Sequence, residues 1–149
     1  MRYLIDTNIF LYLTTDIDLL DNNVKNVIYD YENTLFLSTE SVKELILFYR
    51  KQKNKRKYWR SETEMILSIE KLLNIKILPV KKEHLLTYAR LSINEAQDHR
   101  DPSDHLIISQ AITEGIPLIS SDRKFHPDSY SGIPNKHWIL CTTNDRLYQ

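Results

Sequence analysis

Short apolar runs alternate along this chain with longer segments in which apolar residues recur at every third or fourth position. The first pattern predicts buried strands, and the second predicts helices with one apolar face. Strands are predicted at residues 2–5, 35–37, 75–80, 117–120 and 138–142. Helices are predicted at residues 9–13, 24–31, 42–49, 62–73, 83–96 and 101–115. This alternation predicts an α/β fold in which helices cover both faces of a central parallel sheet.

Residues suited to cap a helix support these boundaries. Short polar side chains stand at three of the predicted helix starts: Thr7 or Asn8, Ser38 or Thr39, and Asp101. Pro102 follows Asp101, and Gly115 stands where that helix should end. In the second helix, one apolar stripe is predicted from Val24, Val27, Ile28 and Tyr31.

The overall composition is that of an ordinary globular protein. With 149 residues, 42% of them hydrophobic and 27% charged, the chain is expected to form one domain over residues 1–149. No apolar run is long enough to span a bilayer, and the N-terminus lacks the apolar core of a signal peptide. The single cysteine, Cys141, excludes an internal disulfide framework and is expected to be buried. We therefore expect a cytoplasmic protein that does not insert into membranes.

Carboxylates stand at boundaries of the predicted elements in four separate stretches: Asp6, Glu44, Asp101 with Asp104, and Asp122. A parallel sheet would bring these stretches to the edge formed by the carboxyl ends of its strands. Like charges gathered there repel one another, and a divalent cation is the usual reason for tolerating them. Mg²⁺ or Mn²⁺ suits oxygen ligands and activates water for hydrolysis, so the pattern predicts a metal-dependent hydrolase. One ion and a pair of ions are both compatible with the pattern.

Each carboxylate also has a simpler structural interpretation. Asp6 is suited to cap a helix, and Ser41, three residues before Glu44, is compatible with a capping box. Asp101 and Asp104 resemble a helix-capping pair, of which Asp101 is the better cap and Asp104 the better ligand. Asp122 suits a turn, and Ser120 can donate a hydrogen bond to a neighbouring carboxylate.

Zinc and phosphate-loop chemistry have little support in the sequence. The five histidines show no zinc-type spacing and are mostly expected at the surface or in loops. The two glycines form no Gly-rich phosphate loop.

Three motifs carry a resemblance to a known family. RYLIDTNIF (residues 2–10), SVKEL (41–45) and HRDPSDHLIISQAITEGIPLISSD (99–122) resemble the PIN-domain ribonucleases, and most closely the VapC-type toxins of type II toxin–antitoxin modules. The third motif is long and specific. At residues 101–105, however, the chain has Asp-Pro-Ser-Asp-His where the family usually has Asp-Pro-Phe-Asp-Arg.

The resemblance implies a three-layer α/β/α PIN-like domain with endoribonuclease activity that depends on Mg²⁺ or Mn²⁺. By motif position, it implies that the acidic set is Asp6, Glu44, Asp104 and Asp122, with Asp101 as an additional nearby carboxylate. Asn8 and Ser120 match supporting positions. The resemblance also implies a homodimer and an antitoxin protein that inserts into the active-site groove.

The charges of the chain are segregated although the net charge is zero. Residues 1–49 hold three basic and eight acidic side chains, whereas residues 50–60 hold seven basic and no acidic ones. A basic segment is compatible with a solvated helix end, but beside a nuclease site it predicts attraction of RNA. The predicted RNA-binding residues are Arg50, Lys51, Lys53, Lys55, Arg56, Lys57 and Arg60. Tyr58 and Trp59 offer rings on which bases could stack.

The sequence thus predicts an endoribonuclease in which water attacks the phosphodiester and no covalent intermediate forms. The main alternative is a non-catalytic module that binds RNA or protein on the same fold. A phosphatase of the haloacid-dehalogenase type is disfavoured, because Asn8 occupies the position at which that chemistry requires a second Asp.

Overall fold

The computed structural model describes residues 1–52, 59–91 and 101–121, and the backbone of a strand at 138–140. Within these residues, five strands form one sheet. They are β1 (Arg2–Ile5), β2 (Thr34–Ser38), β3 (Ile75–Leu78), β4 (Leu118–Ser120) and β5 (Trp138–Leu140). All neighbouring strands are parallel, in the order β3-β2-β1-β4-β5. The predicted parallel sheet is confirmed.

Six α-helices connect or flank these strands in the described part of the chain. They are α1 (Thr7–Thr15), α2 (Asn22–Tyr29), α3 (Thr39–Lys51), α4 (Glu62–Lys71), α5 (Lys82–Arg90) and α6 (Pro102–Glu114), with a short 3₁₀ helix at Ile17–Leu19. No helix in these segments has the length and apolar character needed to cross a membrane.

The alternation of side chains along β1 divides the core into two parts. Tyr3 and Ile5 belong to one buried cluster, which contains apolar residues of α1, α2, α3 and α4. Leu4 belongs to a second cluster, which contains apolar residues of α6. Successive strand side chains point to opposite faces of a sheet, so the two clusters lie on opposite faces. Helix α5 packs against α6. The three-layer α/β/α arrangement follows from this division.

Helix capping fixes where the chain leaves the sheet. Asp6 is the N-cap of α1, which corrects the prediction of Thr7 or Asn8, and Ser38 is the N-cap of α3 as predicted. Asp101 caps α6, Pro102 occupies its first turn, and Gly115 ends it with a φ of 64°. A left-handed φ suits glycine because a β-carbon disfavours that conformation.

One prediction about exposure was wrong. Tyr31 was expected on the apolar stripe of the second helix, but α2 ends at Tyr29 and Tyr31 is 93% exposed. His84 and His105 are both buried, and the other three histidines lie outside the described residues, so the expectation that most histidines lie at the surface or in loops stays a prediction. His84 accepts a hydrogen bond from the Lys81 backbone N–H and bonds Glu114 at 2.8 Å, so it satisfies polar groups between α5 and α6. The helix predicted at 83–96 ends earlier than expected, because α5 stops at Arg90 and the Leu91 backbone is extended. The expected burial of Cys141 lies outside the described residues.

Candidate metal centre

Three carboxylates come together where α3 meets the start of α6. Glu44, Asp101 and Asp104 each offer an oxygen atom, and these oxygens lie within 4.8 Å of one another. Glu44 lies on α3, which begins directly after β2, and the other two residues belong to the N-terminus of α6. The fold therefore joins residues that are almost 60 positions apart in the sequence.

The spacing of Asp101 and Asp104 follows from helix geometry. Residues three positions apart lie on the same side of a helix. Asp101 accepts a hydrogen bond of 3.0 Å from the Ser103 backbone N–H, which confirms its capping role. The positive end of the α6 dipole attracts negative charge to this helix terminus. Capping and ligand geometry are thus compatible in this pair.

The negative charge of Glu44 is poorly offset by hydrogen-bond donors. Its Oε1 atom is buried and has no hydrogen-bond partner among the described residues. Burial raises the pKa of Glu44, and the neighbouring Asp101 and Glu40 raise it further, whereas Thr7 and Lys43 oppose the shift. Because α3 is capped by Ser38, the alternative of a capping box starting at Ser41 is wrong.

Asp6 lies outside this group of three but next to it in the fold. It is 4% exposed, its Oδ1 accepts a hydrogen bond of 2.8 Å from Ile9 N–H, and its Oδ2 accepts one from the Ser120 hydroxyl. The predicted bond from Ser120 to a carboxylate is therefore present. Thr7, the residue after Asp6, donates to the Ser41 hydroxyl at 2.9 Å and thereby joins α1 to the face of α3 near Glu44.

The roles predicted for the remaining two residues, Asn8 and Asp122, stay predictions. Asn8 is exposed in the first turn of α1, so its supporting role stays a prediction. Asp122 lies outside the described residues, directly after Ser121.

Sequence reasoning missed a polar network at the border of the cluster. Glu40 Oε2 accepts hydrogen bonds from Lys43 Nζ at 2.7 Å and from Ser103 Oγ at 3.0 Å. The helical spacing of Glu40, Lys43 and Glu44 could have indicated that these residues share a face of α3. The link to Ser103 crosses 63 positions of the sequence, so no local pattern indicates it.

Comparisons with known proteins agree with this architecture. The sequence matches the PIN domain family over residues 3–127. The chain belongs to the PIN domain family.

Solved structures with the same fold come from toxin–antitoxin complexes. VapBC2 from Rickettsia felis has a TM-score of 0.63 and 22% identity, with 95% of this chain and 99% of that chain covered. A toxin–antitoxin complex from Klebsiella pneumoniae has a TM-score of 0.60 and 16% identity, covering 93% and 96%. VapBC-1 from nontypeable Haemophilus influenzae has a TM-score of 0.55 and 21% identity, covering 83% and 89%. None of the curated protein sequences compared with the chain matches it significantly.

The resemblance to VapC-type PIN proteins predicted from the sequence is confirmed at the level of family and fold. Membership of the PIN family also leaves the dehalogenase-type phosphatase without support.

The donor set of this PIN domain fits a hard divalent cation. Glu44, Asp101 and Asp104 provide only carboxylate oxygens, which Mg²⁺ and Mn²⁺ prefer. The buried and unpartnered Oε1 of Glu44 is the expected feature of a ligand that receives its partner from a bound ion. Zinc would favour nitrogen or sulfur ligands, and neither described histidine belongs to the group.

The predicted RNA-binding residues are only partly described. Arg50 and Lys51 lie in the last turn of α3, and Arg50 Nε lies 3.6 Å from Glu62 Oε1. Arg50 follows Glu44 by six residues, so it lies about 9 Å farther along the helix axis. Arg60 is exposed, and Lys53, Lys55, Arg56 and Lys57 lie outside the described residues. RNA binding by this segment stays a prediction.

The expected role of Trp59 as a base-stacking ring is not supported by its position. Trp59 is partly buried against the core, with its ring stacked on that of Phe10 at a centroid distance of 6.4 Å. Its backbone carbonyl also accepts a hydrogen bond from the Tyr49 hydroxyl. Tyr58, the other expected ring, lies outside the described residues.

Proposed function

We propose that this PIN domain is an endoribonuclease that depends on Mg²⁺ or Mn²⁺ and acts as the toxin of a toxin–antitoxin pair. The observation that carries the proposal is the group formed by Glu44, Asp101 and Asp104, with its buried and unpartnered Oε1 atom. Carboxylates so close together are costly unless a cation neutralises them. In a chain of this family, hydrolysis of a phosphodiester is the chemistry that such a cation best serves.

The residues of the chain have separate roles in this proposal. Glu44, Asp101 and Asp104 would hold the cation, and Asp6 and Asp122 complete the acidic set predicted from the sequence. When bound, Mg²⁺ or Mn²⁺ supplies positive charge for the phosphate and lowers the pKa of water.

Orientation of the ligands depends on neighbouring groups. Ser120 and the Ile9 N–H hold the Asp6 carboxylate in one orientation, because each of its oxygens accepts a hydrogen bond. The N-terminus of α6 places Asp101 and Asp104 on the same side of the helix, where both can face a cation. Such preorganisation means that little rearrangement is needed when substrate arrives.

We further propose a cognate antitoxin and a homodimer as partners, a cytoplasmic location, and one domain over residues 1–149. The antitoxin is supported by the complexes from which the structures of the same fold come, which are VapBC or toxin–antitoxin assemblies. The seven basic residues between positions 50 and 60 would contribute to RNA attraction.

The test is cleavage of total RNA and of purified tRNA by protein freed of any antitoxin. Wild type, Asp104→Asn and the control Asp18→Asn should be compared in Mg²⁺, Mn²⁺ and EDTA. Asp18 is an exposed aspartate in the 3₁₀ helix, so its replacement removes the same charge away from the cluster. We expect cleavage by wild type and Asp18→Asn with either metal, none in EDTA, and a loss of at least about 100-fold in Asp104→Asn.

Equal cleavage by wild type and Asp104→Asn would show that the acidic group takes no part in the mechanism. If folded wild-type protein cuts nothing under any of these conditions but still binds RNA, the non-catalytic binding module becomes the better interpretation.

A further inference from the structure

Lys43 holds a positive charge at the border of the acidic group. Its ammonium lies 2.7 Å from Glu40 Oε2, one turn back along α3, and its side chain is 58% exposed. An ammonium has three N–H donors, and the described contact uses one of them. The other donors are available to a ligand that approaches from solvent.

The position of this ammonium is set by more than one helix. Glu40 Oε2 also accepts a hydrogen bond of 3.0 Å from Ser103 Oγ, and the Ser103 backbone N–H donates to Asp101. The chain of contacts from Lys43 through Glu40 and Ser103 therefore ends on one of the clustered carboxylates. Glu40 is only 19% exposed, so the partner that holds Lys43 is itself constrained by the protein.

The negative charge of the acidic group favours a positively charged side chain at its border. Glu40 adds a fourth carboxylate beside Glu44, Asp101 and Asp104, and one divalent ion balances only half of four negative charges. RNA adds further negative charge when it approaches. Lys43 places one compensating positive charge at this border through its contact with Glu40.

A purely structural explanation of this ion pair is weak. Ion pairs between exposed side chains three positions apart on a helix contribute little to stability. The Lys25 pair with Asp18, at 3.8 Å between α2 and the 3₁₀ helix, is a looser ion pair in the same protein. Lys43 differs from it because its carboxylate partner is tied to the acidic group.

We propose that Lys43 binds a phosphate group of the RNA substrate at the acidic group and, before RNA arrives, weakens the attraction of that group for divalent cations. The inference rests on the proposed nuclease function and assigns to one residue a role in substrate binding. It leads to an unusual expectation, because the same substitution should change the affinities for RNA and for metal in opposite directions.

The test compares Lys43→Gln, Lys43→Arg and the control Lys25→Gln with wild type. Mn²⁺ affinity is measured by calorimetric titration. RNA affinity is measured with a fluorescein-labelled single-stranded RNA of mixed sequence, in Ca²⁺, at several salt concentrations. For Lys43→Gln we expect RNA binding about threefold to tenfold weaker, and a slope of log affinity against log salt that is smaller by about 0.7. Mn²⁺ binding should become about threefold to tenfold tighter, because one positive charge has left the border of the site. Lys43→Arg and Lys25→Gln should remain within about twofold of wild type in both measurements.

Three outcomes would overturn the inference. RNA affinity and salt slope in Lys43→Gln equal to those of Lys25→Gln would exclude a phosphate contact. Mn²⁺ affinity that stays the same or falls together with RNA affinity would indicate structural damage or no electrostatic role. If the wild-type protein binds neither Mn²⁺ nor RNA, the proposed nuclease function itself is rejected. The first two outcomes would reject only the role of Lys43.

Discussion

Replacing Glu44 by Gln should stabilise the metal-free protein while removing part of its response to divalent cations. The carboxylate is half-buried, its Oε1 atom has no described partner, and Asp101 and Asp104 offer oxygens within 4.8 Å. Two unit charges separated by 4.8 Å repel by about 0.9 kcal/mol at the dielectric constant of water and by about 3.5 kcal/mol at an effective value of 20. Glutamine keeps the shape of the side chain and removes the charge.

The expected gain in EDTA at pH 7 is about 1 kcal/mol, since this partly exposed site lies nearer the high-dielectric limit. For a protein of this size, that corresponds to a rise in Tm of about 3 °C. With Mg²⁺ at 100 times its dissociation constant, wild type should gain about 2.7 kcal/mol, and the variant should gain less than half of this. Differential scanning fluorimetry in EDTA and across a Mg²⁺ titration measures both quantities.

The pH dependence of stability provides an internal check on the sign of the change caused by Glu44→Gln. Burial raises the pKa of Glu44 in the folded protein, so its protonated form is favoured by folding. The resulting stabilisation is present below the ordinary glutamate pKa of about 4.3 and is lost as the pH rises through the folded-state pKa. The stability advantage of Glu44→Gln should therefore appear at neutral pH and disappear near pH 4. Glu32→Gln, which changes an exposed glutamate, should show neither effect. An equal Tm of wild type and Glu44→Gln in EDTA at pH 7 would refute the reasoning.

Three further substitutions separate support of the site from support of the fold. Ser120→Ala removes the hydroxyl that donates to Asp6, so we expect stability to fall by about 2 kcal/mol in urea denaturation and cleavage to become about tenfold slower. Unchanged cleavage would contradict the role of Ser120 in orienting Asp6. His84→Ala removes a fully buried ring together with its bonds to the Lys81 N–H and Glu114, so stability should fall by about 3 kcal/mol while kcat per folded molecule stays unchanged. Gly115→Ala places a β-carbon on a residue with a φ of 64° but meets no atom within 4 Å, so it should cost only about 1 kcal/mol, with Tm as the measurement. A much larger loss would show that packing, rather than backbone conformation, selects glycine there.

Local signals in the sequence were sufficient for most of the fold. The run from Asp101 through Pro102 to Gly115 predicts a helix with defined ends, and the structure has that helix. Apolar runs located the strands for a similar reason, because a strand buried on both faces must be continuously apolar. Such signals act over a few residues, and they are therefore visible without knowledge of tertiary contacts.

Features that depend on distant contacts were predicted less well. Trp59 stands within a basic segment, which suggested a ring for nucleic-acid stacking, but its partner Phe10 is 49 positions away. Ser103 looked like a simple departure from the family motif, and its bond to Glu40 joins two helices that no local pattern relates. The burial of His84 and His105 was not predicted, because an isolated histidine gives no sign of a buried hydrogen-bond partner.

Asp101 was predicted to be the better cap and Asp104 the better ligand, and the fold adds a difference between Asp104 and Glu44. Asp104 lies in the first turn of α6, where the helix dipole stabilises a carboxylate by about 0.3–1 kcal/mol. Glu44 is the sixth residue of α3, beyond the turn over which the dipole acts, and its buried oxygen has no described partner. Both substitutions relieve repulsion within the group, but Asp104→Asn also loses the dipole stabilisation, so it should raise the Tm of the metal-free protein by about 1–3 °C less than Glu44→Gln does. Both substitutions should weaken the response to Mg²⁺, because both remove a proposed ligand. Equal Tm shifts for the two variants in EDTA would show that the α6 dipole does not distinguish these carboxylates.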